Sequence, residues 1–392
     1  MKYMKTKSLL LALAVSGISA TAFAQKSAVN TAKSEYDSYA ALKAASPQIA
    51  APKITAAKEA VDKAVAHEKT AADPTAWTYK ALIYADLATS DTTSASANLA
   101  SEAVTALAKA KELDKEGKNK ENIDKVNNLL YINQFTAGKR FLDKGDYPNA
   151  YTEFTKGLDY SPGDTLLNYA AGISAMNGKD YPNAIKRFTE LLPTNYSALE
   201  NVYSNLSVLY AATKDTASAI RIAGEGAAKF PKSSDLATRE IEFSLMTGKQ
   251  KEVIEKITAQ AAKEPTNKLY PFYLGIAYNS LEENTKAEEA YKKAIELDPS
   301  YTDAYINIGG LIMNNGIVIY NKANKLPTSK QTEYTATMKK AQEEFDRALP
   351  YLTKAVELNP KSELSLKNLK TYYTIKNNKA KIDEIDAKIN AL

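Results

Sequence analysis

The sequence predicts an all-α fold, an α-α superhelix built from about eight stacked helical hairpins. A motif of small, aromatic and proline residues recurs about every 34 residues over 131–360. Outside that region apolar residues recur at helical spacing, and prolines stand where helices begin or end. The composition, 44% apolar and 25% charged with 15 Gly and 14 Pro, is that of a globular chain and excludes wholesale disorder.

The first 24 residues have the pattern of a secretory signal peptide. Three lysines within residues 1–7 precede an apolar run over 9–14, and Ala22 and Ala24 frame a small-residue cleavage pattern. We therefore expect a periplasmic or secreted chain, cleaved near Ala24. The apolar run is too short to span a bilayer, and no later stretch reaches the roughly 18 apolar residues that a spanning helix needs.

The charge balance argues against nucleic acid as a partner. The chain has 51 Lys and Arg against 46 Asp and Glu, a formal net charge of +5. Loss of the three leader lysines leaves 48 basic residues against 46 acidic ones. Charges of both signs are mixed along the chain, without the basic patch typical of nucleic-acid or membrane-surface binding.

Residues 25–118 are expected to form helical hairpins that match the repeat poorly. Apolar residues over 54–65 recur at helical spacing. Asp73 and Pro74 then supply an N-cap and a first-turn proline for the next helix. A polar stretch of about ten residues is expected to separate that helix from a partner predicted over 99–113.

The array predicted over 119–392 starts from two segments that read almost alike. Residues 145–150 and 179–184 share the run Asp-Tyr-Pro-Asn-Ala, and each run is followed by a Phe four residues later. The two segments are separated by one repeat length, and later segments keep the same spacings, so the array contains at least six units. The units begin near Tyr131, Thr165, Glu200, Ser234, Lys268 and Thr302.

Each repeat position has a physical reason. Small residues such as Gly138 and Ala150 let the two helices of a hairpin approach closely. Asp146 is a candidate N-cap for the second helix, and Pro148 stands in its first turn, where proline is tolerated. Pro299 ends a second helix, because the residue before a proline avoids the helical region.

The unit from Thr302 carries an insertion. Its closing proline is Pro360, whereas the repeat register predicts this proline at position 333. Sharing the inserted residues between both helices predicts a long protruding helical hairpin at about 314–340, with Thr328 and Gln331 as a candidate capping box. A last helix pair follows, and its polar second helix is expected to cap the array.

These motifs resemble the tetratricopeptide repeat (TPR), whose pattern is a large residue, Leu-Gly, Tyr, Ala, an aromatic, Ala and Pro. The resemblance covers 131–360 and implies a TPR solenoid. The layout of Glu68, Asp73-Pro74 and Trp77 is similar to exported TPR proteins of Bacteroidetes-type bacteria. The resemblance also implies a partner-binding concave side lined by the first helix of each hairpin.

Catalytic and cofactor motifs are absent from the sequence. The chain has no Cys and a single His, which excludes disulfides, thiolate metal sites and clusters of histidine ligands. His67 lies near the end of a predicted helix over 53–70 and is expected to be an exposed or C-terminal-turn residue with no part in catalysis or metal binding. We therefore expect no cofactor, no metal and no enzymatic activity.

The first-helix faces supply the candidate partner-binding residues. They are mostly apolar, which suits an amphipathic helix or an extended peptide, with one lysine as an exception. The leading hypothesis is an exported non-catalytic scaffold that binds another cell-envelope protein or peptide through its concave face. The alternative is a glycan- or peptidoglycan-binding module with Tyr platforms, and coverage of the face by the protein's own helices also stays open. The candidate residues are Phe135, Lys139, Tyr169, Ile173, Met176, Phe272 and Ile276.

Overall fold

A computed structural model describes residues 27–91, 93 and 95–392. The predicted signal peptide, residues 1–24, lies outside the described residues. The regular secondary structure within the described ranges is entirely helical, with eighteen α-helices and one 3₁₀ turn. The predicted all-α fold of helical hairpins is therefore confirmed.

Four helices precede the repeats. Here α1 covers 27–42, α2 Pro47–Ala66, α3 Pro74–Ser90 and α4 Ala95–Leu113.

From α5 onward, odd-numbered helices are the first and even-numbered helices the second of each hairpin. The helices are α5 Lys120–Asp143, α6 Tyr147–Gly157, α7 Thr165–Asn177, α8 Tyr181–Leu191, α9 Leu199–Ala212, α10 Thr216–Lys229, α11 Ser234–Leu245, α12 Gln250–Lys263, α13 Leu269–Ser280, α14 Asn284–Leu297, α15 Thr302–Asn324, α16 Gln331–Leu358, α17 Glu363–Ile375 and α18 Lys379–Asn390.

The chain divides into two compact units, and the division falls between Leu199 and Glu200. The boundary predicted near residue 118 lies in the turn between α4 and α5. It separates segments of different repeat quality within the first unit, and it stays a prediction.

Helix α5 begins eleven residues before the repeat position Tyr131. Its extra turns carry Val126 and Leu130, which are buried in one core with residues of α1 to α4. Its second half contributes Phe135 to the core around Phe154 of α6. One helix therefore supports two cores of the first unit.

The polar stretch before α4 is shorter than predicted. Helix α3 runs to Ser90 and α4 starts at Ala95, four residues before the predicted 99. The hydroxyls of Thr89 and Ser90 donate to backbone carbonyls one turn earlier, 2.8 and 2.9 Å away. Because these polar side chains are satisfied inside the helix, they do not end it.

The predicted caps at the second helices are confirmed. The Asp146 carboxylate accepts the backbone N–H of Asn149, and Asp180 accepts that of Asn183, at 3.4 and 3.3 Å. The capping box predicted for the long hairpin is wrong. Thr328 lies in the 3₁₀ turn, and Gln331 is already the first residue of α16, too early for the N3 position that the motif requires.

Glycines of the first helices sit directly against rings of the second helices. A Cβ atom at Gly138 or Gly172 would lie 2.7 Å from the ring of Phe154 or Phe188. In the interrupted unit Gly309 faces Leu352 in the same way, at 2.7 Å. The insertion therefore leaves the hairpin register intact and lengthens both of its helices, which confirms the predicted long hairpin.

A buried carboxylate connects α1 and α3. The Asp86 side chain is 5% exposed and lies 2.6 Å from the Lys43 ammonium. The Tyr36 and Tyr39 hydroxyls donate to its two oxygens at 2.9 and 3.2 Å. Three donors thus compensate the desolvation of one charge.

The thermal unfolding midpoint is expected to fall as the pH rises above about 10. Burial raises the pKa of Tyr39 to about 12, assisted by the Asp86 charge, and burial also raises the pKa of Tyr273 to about 12. The unfolded chain releases its tyrosine protons near the ordinary pKa of about 10, so it binds fewer protons than the folded chain above that pH. The stability from these groups is therefore complete below pH 10 and is lost as the pH rises toward about 12.

Scanning calorimetry between about pH 8 and about pH 11.5 measures this decline. The Tyr39→Phe variant has one fewer shifted phenol and should show a shallower decline. A midpoint that stays flat to the upper end of this range contradicts the expectation.

None of the helices described here combines the length and the apolar character that crossing a membrane requires.

Candidate functional site

The predicted contact residues lie on three first helices. Phe135 and Lys139 are on α5, Tyr169, Ile173 and Met176 on α7 in the same unit, and Phe272 and Ile276 on α13 in the other unit. Helical spacing of three and four residues puts the members of each set on one face of their helix.

Three of these side chains share one packing arrangement. The ring of Phe135, Tyr169 or Phe272 lies 5.9 Å from the aromatic ring nineteen residues later, in the second helix of its own hairpin. The interplanar angles are 53°, 54° and 52°, a tilted geometry favoured between aromatic rings. One side of each ring therefore belongs to the hairpin core.

On α13 this face is covered from within the second unit. Phe272 is 8% exposed, and its ring lies 5.7 Å from that of Tyr273 and 5.0 Å from that of Tyr301. Ile276 is half-buried against the same core. Phe272 thus offers little surface to a partner, and its predicted role in binding stays a prediction.

On α5 and α7 the corresponding residues, Phe135 and Tyr169, are half-buried. Tyr131 stacks on Phe135 with ring centroids 6.3 Å apart and an interplanar angle of 11°. Tyr196, in the segment after α8, lies 5.2 Å from Tyr169. Ile173 and Met176 are half-buried on α7.

Two aliphatic side chains next to these rings face solvent. Ile132 on α5 is 38% exposed and Leu166 on α7 is 45% exposed. The sequence prediction missed Leu166, although it stands one repeat length after Ile132 at the same repeat position. We call the following set the α5/α7 face: Ile132, Phe135, Lys139, Leu166, Tyr169, Ile173 and Met176.

The one charge on the α5/α7 face is neutralised locally. The Lys139 ammonium lies 2.7 Å from the Asp143 carboxylate, one turn further along α5, and both side chains are about 60% exposed. An exposed pair of this kind contributes little stability and is screened by salt. Burial of apolar surface is therefore the interaction that this face offers a partner.

The described residues form no cluster of side chains that could bind a metal ion. Within them, no group of three or more His, Asp or Glu side chains is arranged to hold a metal ion. The His67 ring nitrogen Nδ1 accepts the backbone N–H of Lys69 at 3.2 Å, at the end of α2. The α5/α7 face itself carries no titratable group besides Lys139 and Tyr169.

One repeat of the chain matches a known family. Residues 272–301, in α13 and α14, match the family model described as tetratricopeptide repeat. This match confirms the resemblance drawn from the repeat spacing. Tetratricopeptide repeat proteins serve as protein-interaction scaffolds and bind protein or peptide partners.

Several solved TPR proteins of Bacteroidetes are similar to the chain. One from Bacteroides fragilis is 23% identical with a TM-score of 0.31, covering 62% of this chain and 98% of its own. The C-terminal part of one from Cytophaga hutchinsonii is 17% identical with a TM-score of 0.45, covering 66% and 95%. One from Parabacteroides merdae is 16% identical with a TM-score of 0.43, covering 62% and 98%. No curated protein shows significant sequence similarity to the chain.

Proposed function

We propose that this chain, whose repeats resemble the tetratricopeptide repeat, is an exported non-catalytic scaffold that binds another cell-envelope protein or peptide through the α5/α7 face. The observation that carries the proposal is the exposed pair Ile132 and Leu166 beside half-buried aromatic rings. Covering a surface of this kind with an apolar side chain favours binding by about 25 cal/mol for each Å² of apolar surface that is buried. The matching partner is the apolar side of an amphipathic helix or extended peptide.

The binding proposal is tested by replacing the exposed Leu166 with a charged residue. Leu166→Glu should weaken capture of a specific envelope protein at least tenfold, because full burial of a leucine contributes about 1.5–3 kcal/mol and an unpaired buried carboxylate is costly. The measurement is affinity capture from an envelope extract by the chain from Gln25, with quantitative mass spectrometry.

The matched control is Leu364→Glu. Leu364 is 57% exposed at the second residue of α17, the repeat position that Ile132 and Leu166 occupy in their hairpins. Captured proteins that are retained by Leu364→Glu and lost by Leu166→Glu support the proposal. Equal retention by both variants, or no specific capture at all, contradicts it.

Export is tested separately. Protein recovered from the envelope fraction of the producing cells should begin at Gln25 by N-terminal sequencing, because cleavage is expected after Ala24. An intact Met1 in that fraction, or recovery from the cytoplasm alone, contradicts the proposal of export.

A further inference from the structure

The long hairpin of the second unit ends in a part that the rest of the described chain hardly covers. We call residues 318–340 the hairpin tip; they comprise the end of α15, the 3₁₀ turn at Thr328–Lys330 and the start of α16. Among residues 320–340 only Ala323 is buried, and most of the others are exposed. At the base of the tip, Gly316 faces the ring of Phe345, which belongs to the core of the unit. The tip therefore projects from that core into solvent.

The hairpin tip carries a local excess of positive charge. Its five lysines and one glutamate give it a net charge of +4. Residues 25–392 together carry 48 basic and 46 acidic residues, so the remainder of this stretch is slightly negative. The lysines are Lys322, Lys325, Lys330, Lys339 and Lys340. Positive charge is thus concentrated at this end of the hairpin.

Two contacts fix the register of α15 against α16. Gly309 faces Leu352 across the hairpin. Gly316, one step of seven residues further along α15, faces Phe345, which lies seven residues earlier on α16. The two helices are therefore antiparallel, and equal steps along them lead to residues at the same level.

This register brings three lysines to one level of the hairpin tip. Six residues toward the tip from the second contact, a distance of about 9 Å, it places Lys322 of α15 beside Lys339 and Lys340 of α16. The expectation that the chain has no basic patch is wrong here. These lysines are distant in sequence and meet only when the hairpin forms.

Most lysines of the hairpin tip have no carboxylate partner. Within the described residues, only Lys330 forms an ion pair, with Glu333 at 3.0 Å. On the neighbouring helix α14, by contrast, Lys286, Lys292 and Lys293 each pair with a carboxylate within 2.9 Å. The unpaired ammonium groups of the tip attract an anionic partner, over about 10 Å at an ionic strength of about 0.1 M.

Apolar side chains lie beyond the three lysines, closer to the end of the hairpin. Leu326 and Tyr334 are half-buried and Pro327 is exposed. Lys325 and Lys330 stand on either side of the Leu-Pro pair in sequence. Apolar side chains at an exposed end, with lysines behind and beside them, are typical of a surface that lies in the interface of a membrane.

We propose that the hairpin tip binds the surface of a lipid bilayer that contains anionic phospholipids. The ammonium groups face the lipid phosphates, while Leu326 and Pro327 enter the boundary between headgroups and acyl chains. A plane of negative charge can meet lysines from both helices and from the turn at once, whereas an acidic helix of a protein partner would contact one face of the hairpin. The tip belongs to the second unit, so this binding is separate from that of the α5/α7 face in the first.

Vesicle flotation with the chain from Gln25 tests this binding. Vesicles of phosphatidylcholine with about 30% phosphatidylglycerol should carry the chain at an ionic strength of about 0.1 M and release it at about 0.5 M. Vesicles of phosphatidylcholine alone should not carry it. Lys322→Glu with Lys339→Glu should lower the partition coefficient at least tenfold, because repulsion replaces attraction at two positions.

The matched control is Lys251→Glu with Lys263→Glu, which makes the same change of charge on α12 of the same unit. Both lysines are exposed and lie outside the hairpin tip. This variant should bind the anionic vesicles within about twofold of the parent chain, since the net charge alone has a small effect. Circular dichroism establishes that both charge variants are folded.

A Trp at the end of the hairpin reports insertion directly. The fluorescence of Leu326→Trp should be quenched by anionic vesicles with brominated acyl chains, and that of the parent chain should not, because Trp77 packs against the core of the first unit. The proposal is overturned if anionic vesicles fail to carry the chain, if neutral vesicles carry it equally, if both charge variants bind alike, or if Leu326→Trp is not quenched. Binding of poly-glutamate without binding of vesicles would assign the tip to an acidic protein partner and would also overturn it.

Discussion

Tyr291→Ala is expected to lower the free energy of unfolding by about 3–5 kcal/mol, as large-to-small changes at buried aromatic positions do. Tyr291 on α14 is fully buried, and its ring lies against Gly275 of α13 and 5.9 Å from the ring of Phe272. Its removal opens a cavity between both helices of the hairpin, which rigid neighbouring hairpins cannot close. Urea denaturation followed by circular dichroism measures the loss.

Tyr291→Phe is the matched control and should have the opposite effect. The Tyr291 hydroxyl is buried and has no hydrogen-bond partner within the described part of the chain. Phe154 and Phe188 occupy the same repeat position, so the ring alone satisfies the packing. Deleting the hydroxyl should raise the free energy of unfolding by about 1 kcal/mol. A loss of stability in Tyr291→Phe comparable with that in Tyr291→Ala would show that the hydroxyl, rather than the ring, holds this hairpin.

Asp86→Ala is expected to lower the free energy of unfolding by about 2–4 kcal/mol. The substitution leaves the Tyr36 and Tyr39 hydroxyls without their acceptor inside the core of the first unit. Lys43 is 41% exposed and recovers part of its hydration, which keeps the loss below that of a fully buried ion pair. The fluorescence of Trp77, the single Trp of the chain, reports unfolding of this unit in urea.

Asp37→Ala, on the helix α1 that carries Tyr36 and Tyr39, is the control for Asp86→Ala on α3. Asp37 is 55% exposed and pairs with Lys33 at 3.1 Å, so its removal should change stability by less than about 0.5 kcal/mol. Equal losses in the two variants would show that α1 is sensitive to any lost charge and that the buried carboxylate has no special role.

Much of the fold could be predicted because the repeat register is a local signal. The starts of α7, α11 and α15 coincide with the predicted unit starts at Thr165, Ser234 and Thr302. The early start of α5 was missed, because Val126 and Leu130 belong by spacing to no repeat and are fixed by contacts with α1 to α4. Their spacing of four residues fits one helix face, but it lies ahead of the first repeat unit at Tyr131 and does not say which helices cover that face.

The placement of the candidate residues on their helices was predictable from spacing, and their exposure was less so, while their role in binding stays a prediction. Spacing put Phe135, Tyr169 and Phe272 at one repeat position, and the structure gives all three the same ring geometry. Which of them stays accessible depends on Tyr301 and on Tyr196, whose positions follow from loop geometry outside the repeat pattern.

The double attachment of α5 bears on how fragments of this protein should be designed. A fragment that starts at Asn119 would expose the apolar side chains of Val126 and Leu130 to solvent. The complementary fragment, with α1 to α4, would lose the two side chains that complete its hydrophobic core. Both halves would then tend to aggregate, so expression boundaries at the repeat edge are the wrong choice. Because α5 is one continuous helix that packs in both cores, a force applied to the repeats would be transmitted through it to α1 to α4.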